Sequence, residues 1–214
     1  MTMDPDFWHQ RWQANQIGFH EGQANALLVE HFGKLGLAKG ARVFLPLCGK
    51  TRDIDWLMSQ DYYVAGAELS TLAVKQLFTE HGIDPTITPL GALTRYSANG
   101  IDIFAGNIFD LSADALGKVD AIYDRAALVA FPNAMRKRYT AHLMENTARA
   151  PQFLICFEYD QGLGDGPPFS VTAEEVQHLY AERYDVSQLT AVDLPDGLRG
   201  KIPATETAWL LRPA

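Results

Sequence analysis

Apolar and polar positions follow two different periods along this chain, and the change of period predicts alternating strands and helices. Short runs of β-branched and aromatic residues are typical of buried strands, while apolar residues three or four positions apart indicate helices. Seven strands are predicted, near residues 41–47, 62–69, 101–107, 119–124, 152–159, 184–194 and 205–211. Helices are predicted near residues 4–15, 25–37, 53–59, 71–81, 133–148 and 172–182. This alternation favours an α/β fold.

Turn signals complete the predicted architecture. Asn99 and Gly100 lie between two apolar runs and predict a tight hairpin, and the stretch PDGLRGKIP predicts that the last two strands form a terminal antiparallel hairpin. Residues 160–170 are rich in Gly and Pro, which predicts a lid loop over the carboxyl ends of the strands. Residues 1–38 predict a helical cap. At 214 residues, 47% of them hydrophobic, the chain is expected to form a single domain over residues 1–214.

The most informative stretch is ARVFLPLCGK at residues 41–50, which is followed by an acidic residue, Glu68, at the end of the next strand. A strand, a turn of small residues and a helix form the first unit of a doubly wound sheet, which binds its ligand beyond the strand end. A carboxylate on the next strand can accept hydrogen bonds from both hydroxyls of a ribose. The turn holds one glycine, Gly49, whereas a dinucleotide fold needs three to approach a pyrophosphate. The pattern therefore favours S-adenosylmethionine, an adenosine ligand without phosphate, and predicts a methyltransferase.

Charge and cysteine content narrow the range of partners. The chain has 18 basic and 26 acidic residues and a net charge of -8, so nucleic acid is not expected as a partner. No secretory signal is recognised, and the longest apolar runs are strand length, which predicts a cytoplasmic protein without membrane association. The two cysteines, Cys48 and Cys156, are expected to be reduced core residues, and no metal site is predicted.

Seven motifs occur in order from the first predicted helix to the predicted lid. They are Trp8 and Trp12 in FWHQRW, GFH at 18–20, PLCGK at 46–50, GAELS at 66–70, NIFDL at 107–111, YDRAALVAFP at 123–132 and GPPF at 166–169. Together they resemble the thiopurine S-methyltransferases. The resemblance implies a Rossmann-like class I methyltransferase fold with a seven-stranded, mostly parallel sheet and helices on both faces. It also implies S-adenosylmethionine as cofactor, a small-molecule thiol as acceptor, selenium or tellurium species as acceptors in bacterial members, and a monomer.

The resemblance also implies which residues form the site. Contacts to the cofactor are implied for Trp8, Trp12, Phe19, Leu47, Glu68, Asn107, Ile108 and Arg125. Contacts to the acceptor are implied for Phe19, Arg125 and Arg199. The residue types agree with these roles, because aromatic faces attract a sulfonium cation and a guanidinium pairs with a carboxylate or an anionic acceptor. Arg125 is the best candidate for influencing the chemistry, and no side chain is assigned as a base.

Each main assignment has a structural alternative. Trp8 and Trp12, one helical turn apart, would instead attach their helix to the sheet. Glu68 would be a solvated acid or a helix-capping partner, although its distance along the chain from the first turn favours ribose. Arg125 would form a local ion pair with Asp124.

Three further residues are assigned by their surroundings in the sequence. Asp110 is expected to cap the short helix that follows it rather than to bind adenine. Cys48 is expected to be a buried packing residue rather than a nucleophile. His20 is the one histidine that lies in a motif of the predicted site, and the other five are expected to be surface or packing residues.

The predicted function is S-adenosylmethionine-dependent methylation of aromatic or heterocyclic thiols such as thiopurines. An in-line attack by a thiolate needs alignment more than a protein base, which agrees with the lack of a recognisable catalytic triad or carboxylate pair in the sequence. Within the class, the alternative acceptor is a halide or a small sulfide. Outside it, the alternatives are a nicotinamide-dependent oxidoreductase, disfavoured by the missing glycines, and a noncatalytic protein that binds S-adenosylmethionine.

Overall fold

The predicted alternation of strands and helices is present in the computed structural model, which describes residues 5–18 and 20–214. The internal contacts of the chain divide it into two units, residues 5–121 and Ile122–Ala214. Within each unit, neighbouring parallel strands are joined through helical connections, as in other α/β proteins. None of the helices that the structure describes is long and apolar enough to cross a membrane.

The first unit is built on five strands in the order β3-β4-β5-β2-β1. The strands are Arg42–Leu45 (β1), Tyr63–Glu68 (β2), Thr86–Leu90 (β3), Leu93–Ala98 (β4) and Ile101–Ala105 (β5). The helices are Pro5–Gln13 (α1), Ala26–His31 (α2), Asp53–Ser59 (α3), Thr71–Glu80 (α4) and Ala113–Leu116 (α5), with 3₁₀ turns at Phe32–Leu35 and Ile108–Asp110. β1, β2 and β5 are mutually parallel, while β3 and β4 run antiparallel to their neighbours. The carboxyl ends of the three parallel strands therefore lie at the same edge of the sheet.

The predicted count of seven strands is wrong, because residues 5–18 and 20–214 contain nine strands. The two additional strands are β3 and β4, and β4 and β5 form the hairpin predicted at Asn99 and Gly100. β3 lies at the sheet edge and is mostly exposed, so its few apolar residues mark no buried face and the sequence TITPL gives no clear strand signal. It also contains Pro89, which lacks an N–H group and is tolerated only at such an edge.

The second unit contains the remaining four strands in the order β6-β7-β9-β8. The strands are Ala121–Arg125 (β6), Gln152–Tyr159 (β7), Tyr184–Asp193 (β8) and Ala204–Pro213 (β9), and the helices are Asn133–Asn146 (α6) and Ala173–Tyr180 (α7). Shorter 3₁₀ turns lie at Leu128–Ala130 and Gln161–Leu163. β6 and β7 are parallel, whereas β8 and β9 form the predicted terminal antiparallel hairpin.

Polar side chains begin several of the predicted helices. Asn25, Ser70 and Thr172 each accept hydrogen bonds from backbone N–H groups of the first helical turn, in α2, α4 and α7 respectively. Such caps satisfy donors that have no partner within the helix. The helix predicted over residues 25–37 is shorter than expected, because the chain tightens into a 3₁₀ turn after His31 and ends at Gly36 with φ of 70°.

Candidate active site

The turn that follows β1, residues 46–50, has an unusual backbone conformation and is called the glycine turn below. Leu47 has φ of 49° and Gly49 has φ of 54°. A left-handed conformation is uncommon for a leucine, and such residues often lie at functional sites. The N–H of Cys48 donates to the carbonyl of Ala67 at 2.9 Å, which attaches the turn to the end of β2. The predicted cofactor residues Leu47 and Glu68 are therefore brought together.

Glu68 is the last residue of β2, and its carboxylate is buried beneath the glycine turn. Only 6% of its surface is exposed. Oε2 accepts a hydrogen bond from the N–H of Gly49 at 2.9 Å, and Oε1 accepts one from the N–H of Ser70 at 2.7 Å. Burial raises the pKa of Glu68 to about 7, although the hydrogen bonds from Ser70 and Gly49 act in the opposite direction. Glu68 is thus not a solvated acid, and each oxygen keeps a lone pair for another donor.

Trp12 of α1 packs directly on the glycine turn. The indole is 4% exposed, and a Cβ added to Gly49 would lie 3.1 Å from Cζ2 of Trp12. Trp8, one helical turn earlier, is half-buried and makes an edge contact with Phe7 at a ring distance of 5.2 Å. Of the two tryptophans predicted for the site, Trp12 therefore lies against the glycine turn, and Glu68 holds the same turn through the N–H of Gly49. Phe19, the third aromatic residue predicted for the site, lies outside the described residues.

We expect Gly49→Ala to lower the free energy of unfolding by about 1–2 kcal/mol, because an L residue is strained at this φ and its Cβ would press on Trp12. Urea unfolding measures this change. Gly33→Ala is the matched control, since Gly33 has no atom within 4 Å of an added Cβ and no positive φ. Equal effects of the two substitutions would contradict the close contact.

The end of β5 supplies two more of the predicted cofactor residues. The N–H of Gly106 donates to the carbonyl of Glu68 at 2.9 Å, so the segment after β5 begins beside the end of β2. Ile108 is buried, while Asn107 is exposed and its side chain accepts a hydrogen bond from the N–H of Phe109. Ile108 thus provides an apolar group near the strand ends, whereas the Asn107 side chain caps the 3₁₀ turn.

The prediction that Asp110 caps the following helix is wrong. Asp110 is exposed at the end of the 3₁₀ turn, and the side chain that caps α5 is Ser112, which accepts from the N–H of Ala115 at 3.2 Å. The intervening 3₁₀ turn moves the helix start two residues further along the chain.

Cys48 is a packing residue, as the sequence indicated. It is buried and free, and its Sγ would lie 2.6 Å from a Cβ added to Gly66 of β2. Burial, with a smaller effect of the nearby Glu68 carboxylate, raises the pKa of the Cys48 thiol well above its usual range. A thiol in this state is a poor nucleophile.

Arg125 ends β6, and the backbone immediately after it is left-handed, with φ of 65° at Ala126. The preceding residue, Asp124, is completely buried. Its Oδ1 accepts from the N–H of Leu128 at 3.1 Å, and its Oδ2 accepts from the hydroxyl of Tyr139 at 2.7 Å. The Asp124 carboxylate, which the sequence offered as an ion-pair partner for Arg125, thus holds the backbone that follows β6. The sequence did not predict that Asp124 and Tyr139 hold this backbone segment. Its only local signal is the acidic residue beside Arg125.

We expect the free energy of unfolding of the ligand-free protein to fall as pH rises from about 4 to about 7. Burial raises the pKa of Glu68 from 4.5 to about 7 and that of Asp124 from 3.8 to about 6, so in this range the folded state binds more protons than the unfolded state. Each group contributes about 3 kcal/mol of stability at low pH, which is lost above its folded pKa.

Glu68→Gln and Asp124→Asn are expected to flatten this slope. Urea unfolding at several pH values gives the free energy of unfolding of wild type and variant. The difference between the two, plotted against pH, measures the change of slope. A difference that does not change between pH 4 and pH 8 would contradict the raised pKa values.

Arg199 contacts the loop that was predicted to be a lid. It lies exposed between β8 and β9, with φ of 56°, and its guanidinium donates to the carbonyl of Pro167. A Cβ added to Gly164 would lie 2.9 Å from Cδ1 of Ile202, so the loop also packs on apolar atoms of the β8–β9 connection. The predicted acceptor residue Arg199 and residues 160–170 are therefore neighbours in the second unit.

His20 lies near an ion pair that includes the glycine turn. Lys50 pairs with Glu80 of α4, and this hydrogen bond is the main cause of the lowered pKa of Glu80. His20 contributes a smaller electrostatic effect to the same carboxylate. Across the residues with described positions, no group of three or more His, Cys, Asp or Glu side chains is arranged to hold a metal ion.

Comparison with known proteins gives consistent relationships along the whole chain. A family model described as thiopurine S-methyltransferase matches residues 3–207. A thiopurine S-methyltransferase from Xanthobacter autotrophicus is 58% identical over 213 residues, which cover 99% of this chain and 100% of that protein. A thiopurine S-methyltransferase from Acinetobacter baylyi is 48% identical and covers 98% of this chain and 98% of its own length. Another from Gluconobacter oxydans is 44% identical and covers 97% of this chain and 94% of its own length.

Solved structures agree on the fold. A Burkholderia thailandensis 1,6-didemethyltoxoflavin-N1-methyltransferase with bound S-adenosylhomocysteine has a TM-score of 0.65 at 14% identity, covering 97% of this chain and 86% of that one. A methyltransferase from Anabaena variabilis has a TM-score of 0.61 at 17% identity, covering 97% and 95%. The fold is thus that of class I methyltransferases, as predicted. The chain belongs to the thiopurine S-methyltransferase family and is an S-adenosylmethionine-dependent methyltransferase.

Proposed function

We propose that the protein transfers the methyl group of S-adenosylmethionine to the sulfur of aromatic or heterocyclic thiols such as thiopurines, and to selenium or tellurium species. The observation that carries this proposal is the buried Glu68 carboxylate beneath a turn with a single glycine. Its relatives are named for thiopurine S-methylation, which supports the choice of acceptor. We further propose that it acts on small molecules rather than nucleic acid, as a cytoplasmic monomer folded as one domain.

The residues around the glycine turn fit an adenosine ligand without phosphate. Trp12 covers the face of Gly49 on which a Cβ would lie, and the turn has a single glycine, which together disfavour a dinucleotide. Glu68 would accept hydrogen bonds from the ribose hydroxyls, and Leu47 and Ile108 would contact the adenosine. Trp12 would contact the sulfonium, with Trp8, Phe19 and Asn107 completing the proposed cofactor residues. The same set offers no cradle of backbone N–H groups from several glycines.

When bound, S-adenosylmethionine supplies an electrophilic sulfonium methyl group to the acceptor sulfur. Trp12 would contribute an aromatic face that attracts the cation, and its buried indole would exclude water from the glycine turn. We propose that Arg125 favours the thiolate form of the acceptor or pairs with the cofactor carboxylate. Phe19, Arg125 and Arg199 are the proposed acceptor residues, and residues 160–170 are the proposed lid.

The proposal is tested by measuring S-adenosylhomocysteine release from purified protein with S-adenosylmethionine and a panel of acceptors. The panel comprises aromatic thiols, thiopurines, selenite, tellurite, halides, hydrogen sulfide and phenols. We expect turnover with thiols, weaker turnover with selenium or tellurium species, and none with phenols. Turnover confined to halides or sulfide would show that the acceptor is a halide or a small sulfide and not an aromatic thiol. Tight cofactor binding without turnover on any acceptor would indicate a noncatalytic binding protein.

A further inference from the structure

Arg136 of α6 is a buried guanidinium that joins three separate segments of the second unit. It is 2% exposed. Its Nε donates to the carbonyl of Phe131 at 3.0 Å, and its Nη1 donates to the carbonyl of Ser170 at 3.0 Å. The same Nη1 pairs with Oε2 of Glu175 in α7 at 2.5 Å. A buried guanidinium needs acceptors for its N–H groups, and two of the acceptors here are carbonyls of separate loops rather than groups of α6 or α7.

The first of these carbonyls ends the segment that begins with Arg125, residues 125–131, which we call the arginine segment. At its start, Asp124 accepts hydrogen bonds from Leu128 within the segment and from Tyr139 of α6. At its end, the Phe131 carbonyl accepts from Arg136, and the Phe131 ring packs on Tyr139 at a centroid distance of 4.6 Å. Two residues of α6, one turn apart, therefore hold both ends of the arginine segment.

The second carbonyl belongs to Ser170, where the 160–170 loop ends. The adjacent N–H of Phe169 donates to the carbonyl of Val129 at 2.7 Å, so the loop is attached to the middle of the arginine segment as well. Tyr159 fixes the loop to β7, since its hydroxyl donates to the Pro168 carbonyl at 2.7 Å and its N–H donates to the Ser170 hydroxyl at 3.0 Å. The loop end is thereby hydrogen-bonded both to the arginine segment and to the arginine that holds the end of that segment.

We propose that Arg136 is a positioning residue for methyl transfer, which couples the end of the 160–170 loop to the arginine segment. This inference rests on the proposed function, because it assumes that Arg125 and the loop act on the acceptor. A lysine cannot replace Arg136 in this role, since the two carbonyls and the carboxylate are contacted by nitrogens of one planar, rigid group. Arg136 does not contact the acceptor itself and acts through Arg125.

The test compares Arg136→Lys and Arg136→Gln with Glu175→Gln in the full-length chain. Glu175→Gln is the matched control, because it removes the charge partner of Arg136 but leaves both carbonyl contacts. For both Arg136 variants we expect kcat/KM for an aromatic thiol to fall by about tenfold or more, mainly through kcat, while the Kd of S-adenosylhomocysteine stays within about twofold. Amide exchange of residues 160–170 is expected to rise by about tenfold in the same variants and not in the control.

The outcomes separate positioning from stability. If kinetics per folded molecule and loop exchange match wild type while only the melting temperature falls, Arg136 is merely structural and the inference is wrong. If both Arg136 variants fail to fold, Tyr159→Phe decides. It removes the two hydrogen bonds of the Tyr159 hydroxyl within the loop, to the Pro168 carbonyl and from the Gln161 side chain, at a half-buried position. It should show the same loss of kcat and increase in exchange. If wild type methylates no thiol, the proposed function is wrong. If wild type is active and the variants have the same kcat/KM for the thiol, only this inference is wrong.

Discussion

Replacing Glu68 with alanine is expected to raise the Kd of S-adenosylmethionine by about 100-fold or more. A carboxylate that accepts two hydroxyl hydrogen bonds in a buried site contributes about 3 kcal/mol, which corresponds to this factor. Glu68 also holds Gly49 and Ser70, so its loss would displace the glycine turn as well. Calorimetric titration measures the effect, with Glu30→Ala on the exposed face of α2 as control.

The protonation of Glu68 gives a second readout of the same role. The pKa of about 7 belongs to the ligand-free protein, and only the ionised carboxylate offers both oxygens as acceptors. Binding of S-adenosylmethionine should therefore release about half a proton at pH 7 and nearly a full proton at pH 6, and affinity should fall about tenfold for each pH unit below the pKa. Titration in two buffers of different ionisation enthalpy measures the proton release. Equal affinity at pH 5 and pH 8, or an unchanged Kd in Glu68→Ala, would remove Glu68 from the cofactor site.

Replacing Arg125 with alanine is expected to lower kcat/KM for an aromatic thiol by about 100-fold, because the acceptor thiolate or the cofactor carboxylate loses its paired cation. The fold should be retained, since Asp124 and Tyr139 hold the arginine segment through contacts that do not use the Arg125 side chain. Arg125→Lys keeps the charge but not the planar fork, and an intermediate activity is expected. Arg183→Ala, an exposed arginine paired with the neighbouring Glu182, is the control.

The Kd of S-adenosylmethionine separates the two partners proposed for Arg125. If Kd rises by about the same factor as kcat/KM falls, the guanidinium pairs with the cofactor carboxylate. If Kd stays within about twofold while KM for the thiol rises, it pairs with the acceptor. Activity equal to wild type in Arg125→Ala would show that neither pairing contributes to the reaction.

Local sequence patterns predicted much of the fold. The helix over residues 53–59 depends on neighbours within one turn, so it can be recognised without knowing the tertiary structure. β3 could not be recognised, because it is short, contains a proline and has no buried face that its apolar residues would mark. Asp110 was assigned wrongly for a related reason, since a 3₁₀ turn and a helix start share the same capping residues.

The candidate site divides in the same way. The strand, the single-glycine turn and the acid on the next strand were recognisable, because each follows from periodicity and spacing along the chain. The residues that each of these contacts in the folded chain were not recognisable from the sequence. Arg136 lies among the basic residues RKR of a helix with mixed polarity, where the pattern is typical of a solvated surface. Only the folded chain shows that this arginine is buried.

By itself the sequence determined the alternation of strands and helices, the adenosine type of ligand and the residue types available to bind it. The tertiary structure alone decided that Trp12 packs on Gly49, that Glu68 is buried beneath the turn, and that Arg136 joins two loops. The physical reason is that periodicity records which residues prefer to be buried, whereas partners and pKa values depend on contacts between residues far apart in the chain. Those contacts form only when the helices and strands pack together.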